Sequence, residues 1–448
     1  MKRNALSDLI SWKNSRKRKP LVIMGARQVG KTWLMEEFAR REFGEDYVLV
    51  NFMRKRSLCQ QLASSDIDPA GLIRILQTAT GRTIMPGKTL LILDEIQECP
   101  SALTSLKFFH EDMPELAIMA AGSLLGLSYG SHSANANSIV TNRDSFPVGK
   151  VDRLNLYPMS FAEFLMANGK EAYVDAVVAG DWHTVEALSN DFEMLLKHYY
   201  VIGGMPEAVD DWIQTGNIAQ SRMTQLRILA DYDDDFKKHA SIDLLPKIRL
   251  IWNSIPSQLA KENEKFSYAG VKHGARAREY EAALEWLQDA GMIYRLHRVC
   301  PPGLPLSHYI DARAFKLFSF DIGLLGAMSS LDPTIVLEKN ALFTHFKGAL
   351  TEQFILQELQ ALDIKSGYWT PDTGISEVDF VLQGRKATYP LEVKAATNTK
   401  AKSLGVYMNT YKPDFAIKSS LKNFSTSRSV RSLPLYAAFG WIKPWIDE

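Results

Sequence analysis

Cysteine is scarce in this chain, with three in 448 residues. Cys59, Cys99 and Cys300 stand far apart, no pair has zinc-ligand spacing, and an odd number argues against a disulfide framework. A reducing cytoplasm suits that usage. Long apolar runs are also missing. The longest, LAIMAAGSLLGL (116–127), is too short to span a bilayer and is broken by glycine and serine. The start of the chain is positively charged but has no apolar h-region, so no signal peptide is expected. An excess of either charge is absent as well: 52 Lys and Arg face 51 Asp and Glu. That balance hides a basic start of Lys2, Arg3, Lys13, Arg16, Lys17, Arg18 and Lys19 against Asp8. It reads as a solvated leader, with phosphate contact as the alternative. His110, His198 and His273 lack ligand spacing and read as ordinary surface or core residues.

Hydrophobic content of 46% and charged content of 23% are those of a soluble globular protein. The length exceeds what one core can serve, so about two to four domains are expected.

The buried-strand pattern LVIM runs directly into GARQVGKT (25–32). Gly25, Gly30, Lys31 and Thr32 fit G-x-x-x-x-G-K-[ST], with Ala26, Arg27, Gln28 and Val29 between them. Glycines let backbone N–H groups turn inward around phosphates. Lys31 would neutralise the β- and γ-phosphates of ATP, and Thr32 would ligate Mg²⁺. The following TWLMEEFARREF reads as a helix whose positive N-terminus faces the anion. TLLILDEIQE (89–98) ends a strand in two carboxylates. Asp94 can hold the magnesium through water and Glu95 can orient the attacking water, which suffices for phosphoryl transfer. ELAIMAAGS (115–123) places Ser123 where it could meet the γ-phosphate or its water. With DYVLVNF (46–52) and KVDRLNLYP (150–158), five strands alternate with helices, which predicts a parallel α/β sheet.

Here a resemblance becomes specific. PLVIMGARQVGKT, LLILDEIQ, AGS, FPVGKVDRLNLYPMSFAEFL, YYVIGGMPEAV and FKLFSFDIGLL together resemble the prokaryotic AAA-type ATPases that carry an N-terminal AAA_14 ATP-binding domain and a C-terminal DUF4143 region. The likeness runs from residue 20 to the end. It implies an ATP-binding core of the AAA kind and supports Lys31, Thr32, Asp94, Glu95 and Ser123, but says much less about biological role. SYGSHSANANSIVTNRDS (128–145) departs from the family picture and reads as a mobile loop. AAA proteins usually complete a neighbour's site with an arginine. Arg143 or Arg153 could serve in a homo-oligomer, and an ordinary surface role is the plainer reading of each.

Residues 159–250 read as a helical lid or connector, and the acidic patch in DYDDDFKKHA (231–240) reads as a solvated face. In 251–300, IPSQLAKEN, SYAGVKHG and ARAREYEAALEWLQDAG read as helices and MIYRLHRV as a strand, which suggests a winged helix-turn-helix. Lys272, Arg276 and Arg278 favour DNA contact at the start of the third helix. Glu279, Glu281, Glu285 and Asp289 along it oppose contact. DNA binding and an inter-domain or protein-partner role both stand.

ISEVDFVLQGRKATYPLEVKAA (375–396) reads as two alternating strands joined by a turn. Glu392 and Lys394 share a face, and Asp379 on the partner strand could join it. Glu352 lies on a helix upstream. The order resembles the PD-(D/E)xK nuclease fold, which implies a metal held by Asp379 and Glu392 and a water positioned by Lys394. A hairpin with charged residues on an exposed face is the alternative.

The expected architecture is therefore α/β. It comprises a P-loop AAA-type domain (1–158), a helical lid (159–250), a winged helix-turn-helix (251–338) and a restriction-endonuclease-like α/β domain (339–448). The expected function is Mg²⁺-dependent ATP hydrolysis acting on a nucleic-acid complex. The alternatives are a nucleotide-gated interaction protein whose nuclease-like domain is silent, or an ATP-controlled nuclease.

Overall fold

A computed structural model describes residues 2–64, 68–122, 147–261, 265–337, 344–372, 376–395 and 402–448. Its first sheet holds β1 (Leu21–Met24), β2 (Tyr47–Asn51), β3 (Leu90–Asp94), β4 (Ala117–Ala121) and β5 (Asp152–Asn155). All pairings are parallel, in the order β2-β3-β4-β1-β5. Strand alternation sends Leu21, Ile23, Leu90, Ile92 and Met119 into one core and Val22, Leu91, Leu93 and Ile118 into another. Both faces are thus covered, as a parallel sheet requires. Helices α1 (Ala5–Asn14) and α2 (Lys31–Phe43) supply Leu9, Leu34 and Phe38 to the first core. Helices α3 (Arg56–Ser64), α4 (Pro69–Thr80) and α5 (Pro100–Asp112) supply Leu58, Leu72 and Leu106 to the second.

Two sequence expectations are corrected here. Cys59 and Cys99 are bonded to each other, with 5.4 Å between their Cα atoms, although 40 residues separate them. Helix α3 and the start of α5 pack on the same sheet face, so pairing follows tertiary contact, which residue spacing does not report. The basic start is only in part a solvated leader: Lys2, Arg16 and Lys17 are exposed, but residues 5–14 form α1 and the Arg3 side chain is only 4% exposed.

Residues 159–239 are mostly helical: α6 (Phe161–Ala167), α7 (Glu171–Ala179), α8 (Trp182–Ala187), α9 (Ser189–Ile202), α10 (Pro206–Thr215) and α11 (Ile218–His239). Next come α12 (Leu245–Leu259), α13 (Tyr268–Val271), α14 (Ala277–Asp289) and a hairpin of β6 (Ile293–Val299) with β7 (Ile310–Ser319). The helix expected over SYAGVKHG shrinks to the four residues of α13. The remainder is α15 (Ile322–Met328), α16 (Pro333–Leu337), α17 (Thr344–Ala361), β8 (Ser366–Trp369), β9 (Val378–Gln383), β10 (Thr388–Val393), α18 (Lys402–Tyr411), β11 (Ala416–Ser420), β12 (Ser425–Thr426), β13 (Val430–Pro434) and α19 (Ala438–Asp447). The hairpin β6–β7 joins the C-terminal strands in one eight-stranded sheet, ordered β12-β13-β11-β10-β9-β8-β6-β7, with Arg298 beside Tyr368 as the link. No described helix is long and apolar enough to cross a membrane.

A buried polar junction ties the modules together. Met159 N–H donates to the Gly204 carbonyl at 2.7 Å and Gly204 N–H to Asp321 at 2.7 Å. Ile322 N–H donates to Gln357 at 3.0 Å and Phe161 N–H to Glu358 Oε1 at 2.8 Å. Glu358 is fully enclosed and its second oxygen has no hydrogen-bond partner. Burial pushes its carboxyl up to about 8 from an ordinary 4.5. Between those values folding takes up a proton, so stability is greatest at the acid end and falls as pH rises. Glu358→Gln keeps the acceptor for Phe161 and removes the titration. It is expected to flatten that decline, with a higher urea midpoint than wild type at pH 8 and little difference at pH 5.

Candidate functional site

The loop 25–32 follows β1 and leads into α2, as its pattern predicts. Gly30 has φ +92°, where side-chain-bearing residues are strained. A Cβ on Gly25 would lie 2.3 Å from the Leu156 carbonyl oxygen, so only glycine lets the loop sit against the end of β5. Lys31 Nζ donates to the carbonyls of Gly25 (3.0 Å) and Ala26 (2.8 Å). Burial lowers its ammonium to about 8, partly opposed by Glu95 and Asp94.

The acidic partner ends β3, which lies one strand beyond β1 across β4 in the same parallel sheet. Asp94 ends β3 and is buried. Its Oδ2 accepts from Thr32 Oγ1 at 3.1 Å and from Asn51 Nδ2 at 2.9 Å. Burial, then the charge of Glu95, raises the Asp94 carboxyl. Glu95 sits in the left-handed region at φ 52° and accepts from Gln97 Nε2 at 2.5 Å. Lys31, Thr32, Asp94 and Glu95 therefore meet at the carboxyl ends of β1 and β3. Ser123 and Arg143 lie outside the described residues, as does the stretch 128–145. Arg153 lies exposed on the edge strand β5.

Sequence reading missed the residues that brace this site. Arg3 donates Nη1 to the Val29 carbonyl (2.9 Å) and Nη2 to the Tyr157 carbonyl (2.7 Å), and Nε pairs with Glu163 at 3.1 Å. Glu163 is itself locked by a capping box with Ser160. The acidic patch on α11 is not simply a solvated face either. Gln28 Nε2 donates to Asp231 at 2.7 Å, Tyr232 Oη donates to the Arg27 carbonyl at 2.6 Å, and Arg27 pairs with Asp235. Asn51 carried a legible signal: a polar residue ending the strand next to one that ends in Asp. Arg3 carried none.

The C-terminal residues also converge. Lys394 Nζ lies 2.7 Å from Glu392 and 3.9 Å from Asp379, and Val393 N–H donates to Asp379 Oδ2 at 2.7 Å. Burial first, then the charges of Glu352 and Glu392, raises the Asp379 carboxyl well above its ordinary range. Glu352 is held by Lys316 of β7 at 3.0 Å, and Lys316 also reaches Glu377 at 2.8 Å. Among the described residues, no group of three or more His, Cys, Asp or Glu side chains is arranged to hold a metal ion. The carboxylates are engaged by lysines instead.

A five-stranded parallel sheet carrying this loop and acid pair defines a P-loop ATPase domain. Comparison with known families makes it more particular: residues 17–165 match an AAA domain (AAA_14), so the N-terminal part of the chain carries an AAA-type ATPase domain. Residues 193–335 and 347–437 match two domains of unknown function, DUF8612 and DUF4143. No curated protein matches. Similar solved structures include the Walker-type ATPase PABY2304 of Pyrococcus abyssi, with 12% identity and a TM-score of 0.41, covering 73% of this chain and 95% of that one. The Aeropyrum pernix ORC1 protein in complex with DNA has 11% identity and a TM-score of 0.27, covering 73% and 90%.

Arg3→Met would leave Glu163 buried and the Val29 carbonyl without this donor. It is expected to lower the unfolding free energy by about 3 kcal/mol, read from urea denaturation. Lys17→Met at an exposed position is expected to change it by less than ~0.5 kcal/mol.

Proposed function

We propose that the chain binds ATP with Mg²⁺ at residues 25–32 and hydrolyses it to drive or gate a conformational change on a nucleic-acid complex. The observation that carries this reading is the meeting of Lys31, Thr32, Asp94 and Glu95 at the carboxyl ends of β1 and β3. The residues fit the group. Lys31 is buried against loop carbonyls that an anion would replace as its partner. The Thr32–Asp94 contact marks the hydroxyl and carboxylate that would hold magnesium, directly and through water. The ion supplies neutralisation of phosphate charge. Glu95 would orient the attacking water and accept its proton. A cleft of about 450 Å³ adjoins Gly25 and Ala26 and is lined by Tyr157, Tyr294 and Gln288, which gives room for a base and sugar.

Nucleic acid enters through Lys272, Arg276 and Arg278, exposed around the start of α14, in a winged-helix arrangement of α12 to α14 and the β6–β7 hairpin. The exposed acids Glu279, Glu285 and Asp289 further along α14 confine any phosphate contact to its N-terminal end. A homo-oligomer in which Arg143 or Arg153 completes a neighbour's site belongs to the same reading, as does a cytoplasmic setting, against which the Cys59–Cys99 bond stands.

The test is an ATPase assay. Lys31→Ala is expected to lose ATP binding. Glu95→Gln is expected to keep binding and lose about 10²-fold or more in turnover. Duplex DNA is expected to stimulate the wild type. Turnover unaffected by either substitution would overturn the assignment, and indifference to DNA would favour a nucleotide-gated interaction protein.

A second reading concerns the C-terminal sheet, where Asp379, Glu392 and Lys394 share one face near Glu352. We infer a PD-(D/E)xK-like site in which Asp379 and Glu392 would hold a divalent ion and Lys394 would position water. Nicking of DNA or RNA with Mg²⁺ or Mn²⁺ is expected to vanish in Asp379→Ala and Lys394→Ala. Equal cleavage in those variants would point to a contaminant, and no cleavage by the wild type would leave a silent domain that docks partners.

A further inference from the structure

Two residues of the phosphate loop are held by a helix that lies far beyond it in sequence. Arg27 pairs with Asp235, its carbonyl accepts from Tyr232, and Gln28 donates to Asp231. All three partners lie on α11, and positions 228, 232 and 235 form its buried stripe. An acid in that stripe is unusual, because a buried carboxylate needs a partner. Asp235 has a side chain only 5% exposed, and its Oδ2 is enclosed with no hydrogen-bond partner. Arg27 is the cation paired with it.

Arg27 is also a residue of the loop that would hold the anion. After burial, its charge is among the causes that lower the Lys31 ammonium, against the opposing pull of Glu95 and Asp94. A guanidinium felt by the loop lysine lies within electrostatic reach of whatever anion that lysine holds. Its side chain is 29% exposed, so it has room to turn.

We propose that Arg27 is a second phosphate-binding cation of the loop and that Asp235 withholds it, so that a bound triphosphate draws Arg27 away and releases α11. The inference rests on the nucleotide reading of residues 25–32. A triphosphate carries several negative charges and offers a guanidinium paired, charge-assisted hydrogen bonds, whereas Asp235 offers one charge. Once Arg27 turns, Asp235 is left buried near His239, one turn along α11, whose imidazole is held toward its neutral form by burial and the charge of Lys238; a buried carboxylate so placed is costly, so α11 must shift to hydrate it. The next residue, Phe236, packs edge-on against Trp252 of α12 and Trp286 of α14, with centroids 5.9 and 5.5 Å away. A shift of α11 would therefore reach the helices expected to meet nucleic acid.

The experiment titrates the full chain with mant-ATP and Mg²⁺, comparing wild type, Asp235→Asn, Arg27→Ala, the double variant, and Lys31→Ala as reference. Asp235→Asn retains shape and removes the competing charge. It is expected to tighten binding about tenfold, while Arg27→Ala weakens it about tenfold. Asp235→Asn added to Arg27→Ala is expected to change nothing further. The proposal is overturned if Asp235→Asn leaves affinity unchanged, or acts equally without Arg27, while Lys31→Ala still abolishes binding. Lys31→Ala binding like wild type would instead remove the nucleotide reading itself. Hydrogen exchange of wild type gives a check independent of variants: amides of 228–239 are expected to exchange faster with MgATP, and unchanged exchange overturns the release of α11.

Discussion

The buried Arg3 guanidinium is the contact on which the shape of the loop depends. A loop that must point its N–H groups at an anion turns some of its carbonyls the other way, and a buried carbonyl needs a donor. The Val29 carbonyl finds one in Arg3, which also holds the Tyr157 carbonyl and the Glu163 carboxylate. One side chain therefore joins the N-terminal helix, the loop and the segment leaving β5. Its charge is tolerable there because Glu163 is fixed from two sides: Asn4 N–H donates to it at 2.7 Å and Ser160 N–H at 3.0 Å. The short loop motif specifies the backbone conformation, and residues outside it hold that conformation in place.

The same logic explains why the long motifs of the connector accompany the loop. MSFAEFL, VIGGMPEAV, FSFDIGLL and the helix α17 come together where several chain segments are buried at once. Their backbone groups cannot all enter a ladder, so particular side chains satisfy them. Asp321 accepts from Gly204 and Leu324, Gln357 accepts from Ile322 and donates to Tyr199, and Tyr199 donates to the Met159 carbonyl at 2.5 Å. Burial lifts Asp321 to about 6 despite these donors. A polar junction of this kind is costly when half-made, and it fixes one arrangement of the modules around the loop.

What could be read from the sequence was whatever is local. Alternation of Leu21 to Met24 and of Leu90 to Asp94, a glycine pattern and a helix start are written within a dozen residues. The five-stranded sheet and the Lys31–Thr32–Asp94–Glu95 grouping follow from them. The 378–393 hairpin was legible for the same reason, since period-two patterning aligns Asp379 with Glu392. Arg3, Lys316 and the Cys59–Cys99 pair were not legible. Each acts on residues that only tertiary packing makes neighbours, and nothing in a basic start or two distant cysteines reports that packing. Asp235 lies between the two cases. Its place in the buried stripe of α11 was available from spacing, but the surrounding acids Asp231, Asp233 and Asp234 made the whole patch look like a solvated face. Asp233 and Asp234 do face outward, to Arg249 and Lys237.

Helix α17 gives the C-terminal sheet a mechanical connection to this junction. Glu358 on that helix accepts from Phe161 at the start of α6, and Glu352, six residues earlier, is held by Lys316 of the β6–β7 hairpin. At 1.5 Å per residue the two carboxylates are about 9 Å apart along one rigid rod. The α6 end is tied through Ser160 and Glu163 to Arg3 and so to the loop, and the other end enters the acidic group of Glu352, Asp379 and Glu392. A packed helix moves as a unit, because its interior neighbours resist being sheared singly. Any displacement at the loop that reaches α6 would therefore be felt where Lys316 and Lys394 hold the C-terminal carboxylates. If the loop hydrolyses ATP, this rod and α11 are two separate mechanical routes outward, one to the C-terminal sheet and one to the helices 245–289.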